Sequence, residues 1–155
     1  MFSIIIPSFN NLDYLKISLT SLNKNSFFKN EIIVHLNIGT DGSIEYLREK
    51  KIKFTHTDYN SGICEGVNAA SKLASKKYII YAHDDFYFCP NWDKFLHNEI
   101  EKINHNKFYL SSSTIGTFGN NLNCGDTYIN FDEDVLLKNY DKIKFDEIQG
   151  STWAP

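Results

Sequence analysis

Phe2-Ser3-Ile4-Ile5-Ile6-Pro7 is a short run of mostly β-branched apolar residues ended by a proline, and it reads as a buried strand. The pattern then changes period. Asp13 offers an N-cap, and Leu15, Leu19 and Leu22 fall at i, i+4 and i+7, one face of a helix. Glu31-Ile32-Ile33-Val34-His35-Leu36 is a second strand. Thr40-Asp41-Gly42-Ser43 has turn chemistry, and a short helix follows it to about Lys50. Ile52-Lys53-Phe54-Thr55-His56-Thr57 alternates at period two and gives a third strand.

Asn60-Ser61-Gly62 breaks the chain again. The helix after it carries small residues, Gly66, Ala69, Ala70 and Ala74, which allow close approach to a sheet. Lys77-Tyr78-Ile79-Ile80-Tyr81-Ala82 is a fourth strand, followed by His83-Asp84-Asp85. Further on, the spacing of Trp92, Leu96, Ile100 and Ile103 predicts a helix, and strands are expected over Phe108–Ser112 and Thr127–Phe131. Strands that alternate with helices imply an α/β fold with right-handed crossovers: a three-layer α/β/α sandwich around a mostly parallel sheet. Ligands in such folds bind beyond the carboxyl ends of the strands, where strand order reverses. The loops at Ser8–Asn11, Asn37–Gly42, Asp58–Gly62 and His83–Tyr87 are therefore the ones expected to carry function.

The 155 residues suit one domain with a single core. With 16 basic and 19 acidic side chains the net charge is −3, which argues against a nucleic-acid footprint or a polybasic membrane anchor. No apolar run approaches the roughly 20 residues of a membrane span. The first residues lack the basic start of a signal peptide and break at Pro7, so the expected location is cytoplasmic, at most peripheral at a membrane. Cys64, Cys89 and Cys124 are odd in number and widely spaced, which suggests neither a disulfide framework nor a zinc knuckle.

As a dipeptide Asp84-Asp85 says little; its position directly after an apolar strand gives it weight. Two like charges there are costly without a counter-ion, and hard oxygen ligands suit Mg²⁺ or Mn²⁺ bridging to substrate phosphates. A helix cap or a solvated turn is the plainer alternative. His83 is either a third ligand or a hydrogen-bonding neighbour. At the end of the first strand, Ser8 and Asn10 offer donors to a base or ribose and Phe9 a stacking surface, unless they only cap the next helix. The phosphate-binding patterns GxGxxG and GxxxxGK[ST] are absent from the expected places, as is the GxSxG elbow.

Three stretches together resemble the family 2 glycosyltransferases of the GT-A fold. Ser3-Ile4-Ile5-Ile6-Pro7-Ser8-Phe9-Asn10 is similar to their opening strand and loop. Asn60-Ser61-Gly62 followed by Asn68-Ala69-Ala70 is similar to their N-x-G…N-x-A stretch, and Tyr78 to Asp85 to the strand that ends in a DxD-type metal motif. Order and spacing agree across residues 2–93, and Gln149 to Pro155 resembles an acceptor-side loop. The resemblance implies transfer of a sugar from a nucleotide-diphosphate sugar, with a UDP-sugar favoured, to a hydroxyl of a glycan or lipid-linked saccharide, by a single inverting displacement. It implies that Pro7, Ser8, Phe9 and Asn10 line the nucleotide pocket. Asp85 would hold the Mn²⁺ or Mg²⁺ on the diphosphate, and Asp84 would bind the ribose or sugar or help orient the metal. Asn60, Gly62 and Asn68 would shape the nucleotide side. Residues 1–90 would form the nucleotide-binding half of one GT-A-like domain, and 91–155 the start of the acceptor-side half.

Two departures are visible. Where the family carries two acids after the second strand this chain has Leu36-Asn37, so Asn37 would meet the base by hydrogen bonding alone. The first acid of the metal motif is His83. The family places its catalytic base after the acceptor loop, so the base is expected beyond Pro155; within the chain the acids available are Asp132, Glu133, Asp134, Asp146 and Glu147. A glycosyltransferase-like domain that binds donor without catalysis is the alternative. A nucleotidyltransferase would need a Gly-rich basic loop after the first strand. A receiver-type module would carry its acidic pair after the first strand rather than the fourth.

Overall fold

A computed structural model describes residues 1–111 and 122–142. The chain divides into two compact units, Met1–Lys94 and Phe95–Pro155. The first contains β1 (Phe2–Phe9), α1 (Leu12–Asn25), β2 (Glu31–Asn37), α2 (Ser43–Glu49), β3 (Lys53–Thr57), α3 (Gly62–Ser71) and β4 (Tyr78–Tyr81). Helix α4 (Trp92–Ile100) crosses the boundary, and α5 (Glu133–Asn139) with a single 3₁₀ turn (Tyr140–Lys142) belongs to the second unit. No helix among the described residues is long and apolar enough to cross a membrane.

The four strands form one parallel sheet in the order β3-β2-β1-β4. The first two crossovers step outward from β1 through β2 to β3. The third returns across both strands to the other side of β1. Because crossovers are right-handed, the returning helix α3 must lie on the face opposite α1 and α2. On that face Ile5, Ile33 and Ala70 form a buried cluster with Val67 and Ala74 against it. The sheet alternates, so Phe2, Ile4 and Ile6 face the other way; they are fully buried, as are Leu15, Leu19 and Leu22 of α1 and Leu47 of α2. Burial of β1 on both faces is what its unbroken apolar run requires.

Five expectations need correction. Strand β1 does not end at Pro7 but continues to Phe9. In a parallel strand, alternate residues direct their backbone groups to alternate neighbours. The Ile5 carbonyl accepts from Ala82 on the β4 side, so the missing N–H of Pro7 faces a side where β4 has already ended. The other side continues to pair, Ser8 with Leu36 and Phe9 with Asn37. Asp13 does not cap α1. Asn11 holds the cap position without a side-chain capping bond, and the Leu12 N–H is taken by Asp41 Oδ2 at 2.8 Å, from the loop after β2.

In the second unit, residues 108–111 form no strand, and Thr127–Phe131 is a turn instead of a strand. There Asn130 Oδ1 accepts from the N–H groups of Asp126 and Thr127 and from the Thr127 hydroxyl, and Gly125 sits at φ +106°. One asparagine side chain thus overrides the β propensity of Thr, Tyr, Ile and Phe. The helix at Trp92 ends at Ile100, three residues short of the expected Ile103.

The amino ends of the strands are tied by Glu31. Its carboxylate accepts from Ser3 Oγ at 2.6 Å, Ser75 N at 2.8 Å, Ser75 Oγ at 3.0 Å and Lys53 Nζ at 2.7 Å. Burial pushes this carboxyl up, but the bonds from Lys53, Ser3 and Ser75 outweigh it and hold it at about 2, against 4.5 for a free side chain. A depressed acid stabilises the fold fully above its unfolded value and loses that effect as pH falls toward its folded one. Glu31→Gln should therefore lower the unfolding free energy by about 1–2 kcal/mol at neutral pH, the scale of hydrogen bonds to a charged group. In urea titrations the gap from wild type should close between pH 4.5 and about 2; an unchanged gap at low pH would count against the assigned role.

Candidate functional site

Strand order reverses between β1 and β4, and there the two strands part. Pairing with β4 stops at Ile5–Tyr81, while β1 runs on beside β2. Beyond that point Pro7 to Asn10 continue on one side and His83-Asp84-Asp85 on the other, at the edge where such sheets bind ligands. Between these two segments the buried Ser8 Oγ donates to Asp84 Oδ2 at 2.6 Å.

Asp84 is half-buried and Asp85 exposed. Burial raises the Asp84 carboxyl above its ordinary range, bonds from Ser8 and Asn11 pull it back, and the charge of Asp85 pushes it up again. Burial of Asp84 is the main cause of this rise, ahead of the neighbouring charge. His83 Nε2 lies 2.8 Å from the Tyr81 hydroxyl, and its ring stands 5.0 Å from that of Tyr81 and 5.2 Å from Phe86. His83 is therefore a hydrogen-bonding neighbour, one ring in an aromatic row. Among the described residues no three His, Cys, Asp or Glu side chains converge as a metal cage. One or two carboxylates at a strand end still fit Mg²⁺ or Mn²⁺, which usually takes few protein ligands and completes its shell with water and substrate phosphate.

The acidic loop is held from behind by α1. Ser21 Oγ accepts from Phe88 N at 3.0 Å, and Asn25 Nδ2 donates to Phe88 O at 2.7 Å and to Tyr87 Oη at 3.0 Å. Further along, the fully buried Asp93 carboxylate accepts from the N–H groups of Phe27 and Phe28 and from Asn30 Nδ2. These bonds fix where the strand end can point.

The remaining expected residues form a second ring of contacts. Pro7 is buried, Phe9 is 49% exposed, and Asn10 takes φ +45°. The Asn10 amide bonds Thr40 twice, to Oγ1 at 3.2 Å and from N at 2.9 Å, which ties the β1 loop to the β2 loop. Asn37 is 4% exposed, and its Oδ1 accepts from both N and Oγ of Ser61 at 2.8 Å. Asn60 Oδ1 accepts from Gly62 N at 3.0 Å, and Gly62 sits at φ +74°, a conformation that favours glycine. Asn68 is not brought into this ring: it stands on the exposed face of α3, while Gly66 and Ala70 face the sheet.

Of the acids named as possible bases, Asp132 accepts from Val135 N at 3.0 Å as the cap of α5 in the second unit. Glu133 and Asp134 lie in the first turn of that helix. Asp146, Glu147 and Gln149 to Pro155 lie outside the described residues. Sequence reasoning passed over Asn11, Asp41 and Ser61. Their signal was local: each is a short polar residue next to a glycine turn or at a strand exit, where side chains cap neighbouring backbone.

Among solved structures, a structure of TarS 1–349 from S. aureus in complex with UDP has a TM-score of 0.59 at 22% identity, over 71% of this chain and 38% of that one. A second TarS structure gives 0.55 at 27% identity, over 65% and 19%. The mannosyltransferase PcManGT from Pyrobaculum calidifontis, in complex with GDP-Man and Mn²⁺, gives 0.52 at 17% identity, over 61% and 30%. The chain thus spans less than two fifths of the length of these relatives. A comparison with curated protein sequences gives no match. The fold is of the α/β GT-A type. The model of the family described as "Glycosyl transferase family 2" matches residues 3–149, and the chain belongs to that family.

Proposed function

We propose that this chain binds a nucleotide-diphosphate sugar and serves transfer of that sugar to an acceptor hydroxyl, with inversion at the anomeric carbon. One observation carries the reading: the Ser8–Asp84 hydrogen bond holds the end of β1 and the acidic loop to opposite sides of one crevice at the reversal of strand order. Further support comes from relatives that bind UDP or GDP-Man with Mn²⁺. The donor favoured here is a UDP-sugar, and the acceptor class is a glycan or lipid-linked saccharide.

In this reading Pro7, Ser8, Phe9 and Asn10 line the nucleotide pocket, with Asn37, Asn60 and Gly62 on its other side. Asp84 faces the ribose or sugar. Asp85 holds Mn²⁺ or Mg²⁺, which supplies positive charge to the diphosphate leaving group. Chemically, an acceptor oxygen forms the new bond to the anomeric carbon as the bond to the diphosphate oxygen breaks. The acceptor proton passes to a carboxylate base. The buried Ser8 keeps Asp84 in place without adding charge, so the pair can meet a cation and a sugar hydroxyl at once.

Two substitutions test this. Asp85→Asn should weaken Mn²⁺-dependent binding of a nucleoside diphosphate at least about tenfold, or ~1.4 kcal/mol, in calorimetric titrations with UDP, GDP and dTDP. Equal affinities for variant and wild type would remove Asp85 from the metal role. Ser8→Ala should leave a half-buried carboxylate short of a donor, lowering stability by about 1–3 kcal/mol and weakening nucleotide binding in parallel. Unchanged nucleotide affinity in a folded Ser8→Ala protein would separate the crevice from the binding site.

A further inference from the structure

His35 lies in the middle of β2 with no exposed surface, in a run that is otherwise apolar from Ile32 to Leu36. It faces α3, where Gly66 makes room for it: a Cβ at Gly66 would stand 2.5 Å from His35 Cδ2. Nδ1 is 2.8 Å from Thr55 Oγ1. Nε2 is 3.3 Å from Ser61 Oγ and 3.4 Å from Thr57 Oγ1.

The surrounding bonds decide which nitrogen carries the proton. Ser61 N, a backbone donor, points at Asn37 Oδ1 at 2.8 Å, so the orientation of that amide is fixed. Ser61 Oγ also lies 2.8 Å from the same oxygen and must donate to it. Thr57 Oγ1 lies 2.8 Å from the carbonyl of Tyr59 and must donate there. Both hydroxyls beside Nε2 have thus committed their protons elsewhere and can only accept. Nε2 therefore carries hydrogen, shared between two acceptors, and Nδ1 accepts from Thr55. Burial lowers the imidazole below its ordinary value and favours the neutral form; Asn37 and Glu65 of α3 act against this, and His56 of β3 with it.

We propose that His35 is a positioning residue of the donor site: its Nε2–H holds the Ser61 hydroxyl against Asn37, and so sets the Asn60-Ser61-Gly62 turn that walls the nucleotide side of the crevice. The chain of contacts runs from a residue with no exposed surface to a turn exposed at Asn60 and Gly62. The inference rests on the nucleotide-site reading above, and its test is built so that the two fail separately.

The first measurement is ¹⁵N NMR of the His35 ring in the wild-type chain at neutral pH. The expected result is a neutral ring with hydrogen on Nε2; an Nδ1–H tautomer or an imidazolium overturns the proposal. The second compares two variants. In His35→Gln the side-chain amide nitrogen takes the place of Nε2, whereas the shorter His35→Asn reaches only the Nδ1 position. Gln should keep slow amide exchange at Ser61 and near wild-type affinity for UDP with Mn²⁺. Asn should speed that exchange and weaken UDP binding by about five- to tenfold, the range of one lost hydrogen bond. Variants that behave alike overturn the proposal. If the wild type binds no nucleotide, the donor-site reading fails, while the ring tautomer and Ser61 exchange still decide what His35 holds.

Discussion

Between Ser8 and Asp84 runs a 2.6 Å hydrogen bond that joins two strands which have already separated. β1 and β4 pair only as far as Ile5 and Tyr81. Beyond that point the sheet has no ladder on the β4 side of β1, and Pro7 has no N–H to leave unsatisfied there. A gap opens that backbone bonding cannot close. The serine hydroxyl bridges it with a neutral donor, which lets a half-buried carboxylate stand beside a second, exposed one. Everything attributed to the site depends on a side chain spanning that break.

The loops around the crevice are held by short side chains in place of apolar packing. Asn10 ties to Thr40, Asp41 to the start of α1, Asn37 to Ser61, and Asn60 to Gly62. Behind the acidic loop, Ser21, Asn25 and Asp93 do the same from the helix side. Such bonds fix geometry at the sheet edge, where an apolar core cannot extend because the loops must stay open to solvent. The oxygens of Asn37 and Asn60 are occupied by this work. Phe9, Asn10, Asn60, Gly62 and Asp85 are exposed, while Pro7, Ser8 and Asn37 are buried. The division suits a site with a rigid rear wall and a replaceable front.

Seen from the sequence, the first ninety residues were largely legible, because their strands and helices are each decided by burial along a single element. Leu15, Leu19 and Leu22 fall on one helix face and are all buried. The acidic pair was expected at the end of the fourth strand and stands there. Thr127 to Phe131 misled, since its β-branched and aromatic residues suggest a strand until Asn130 and Gly125 turn the chain. Asp13 misled for a related reason: a cap was expected from the nearest acid, and the helix took one from Asp41 instead.

Period and composition by themselves determined the α/β alternation, the parallel sheet and the four loops where chemistry was expected, because each follows from which residues one segment must bury. Tertiary structure alone decided that β1 outruns its proline, that Ser8 meets Asp84 across 76 residues of sequence, and that His35 is a polar centre inside an apolar run. The physical reason is register. A hydrogen bond between distant loops depends on where two strands stop pairing, and no local pattern encodes that; it exists only once the sheet is assembled.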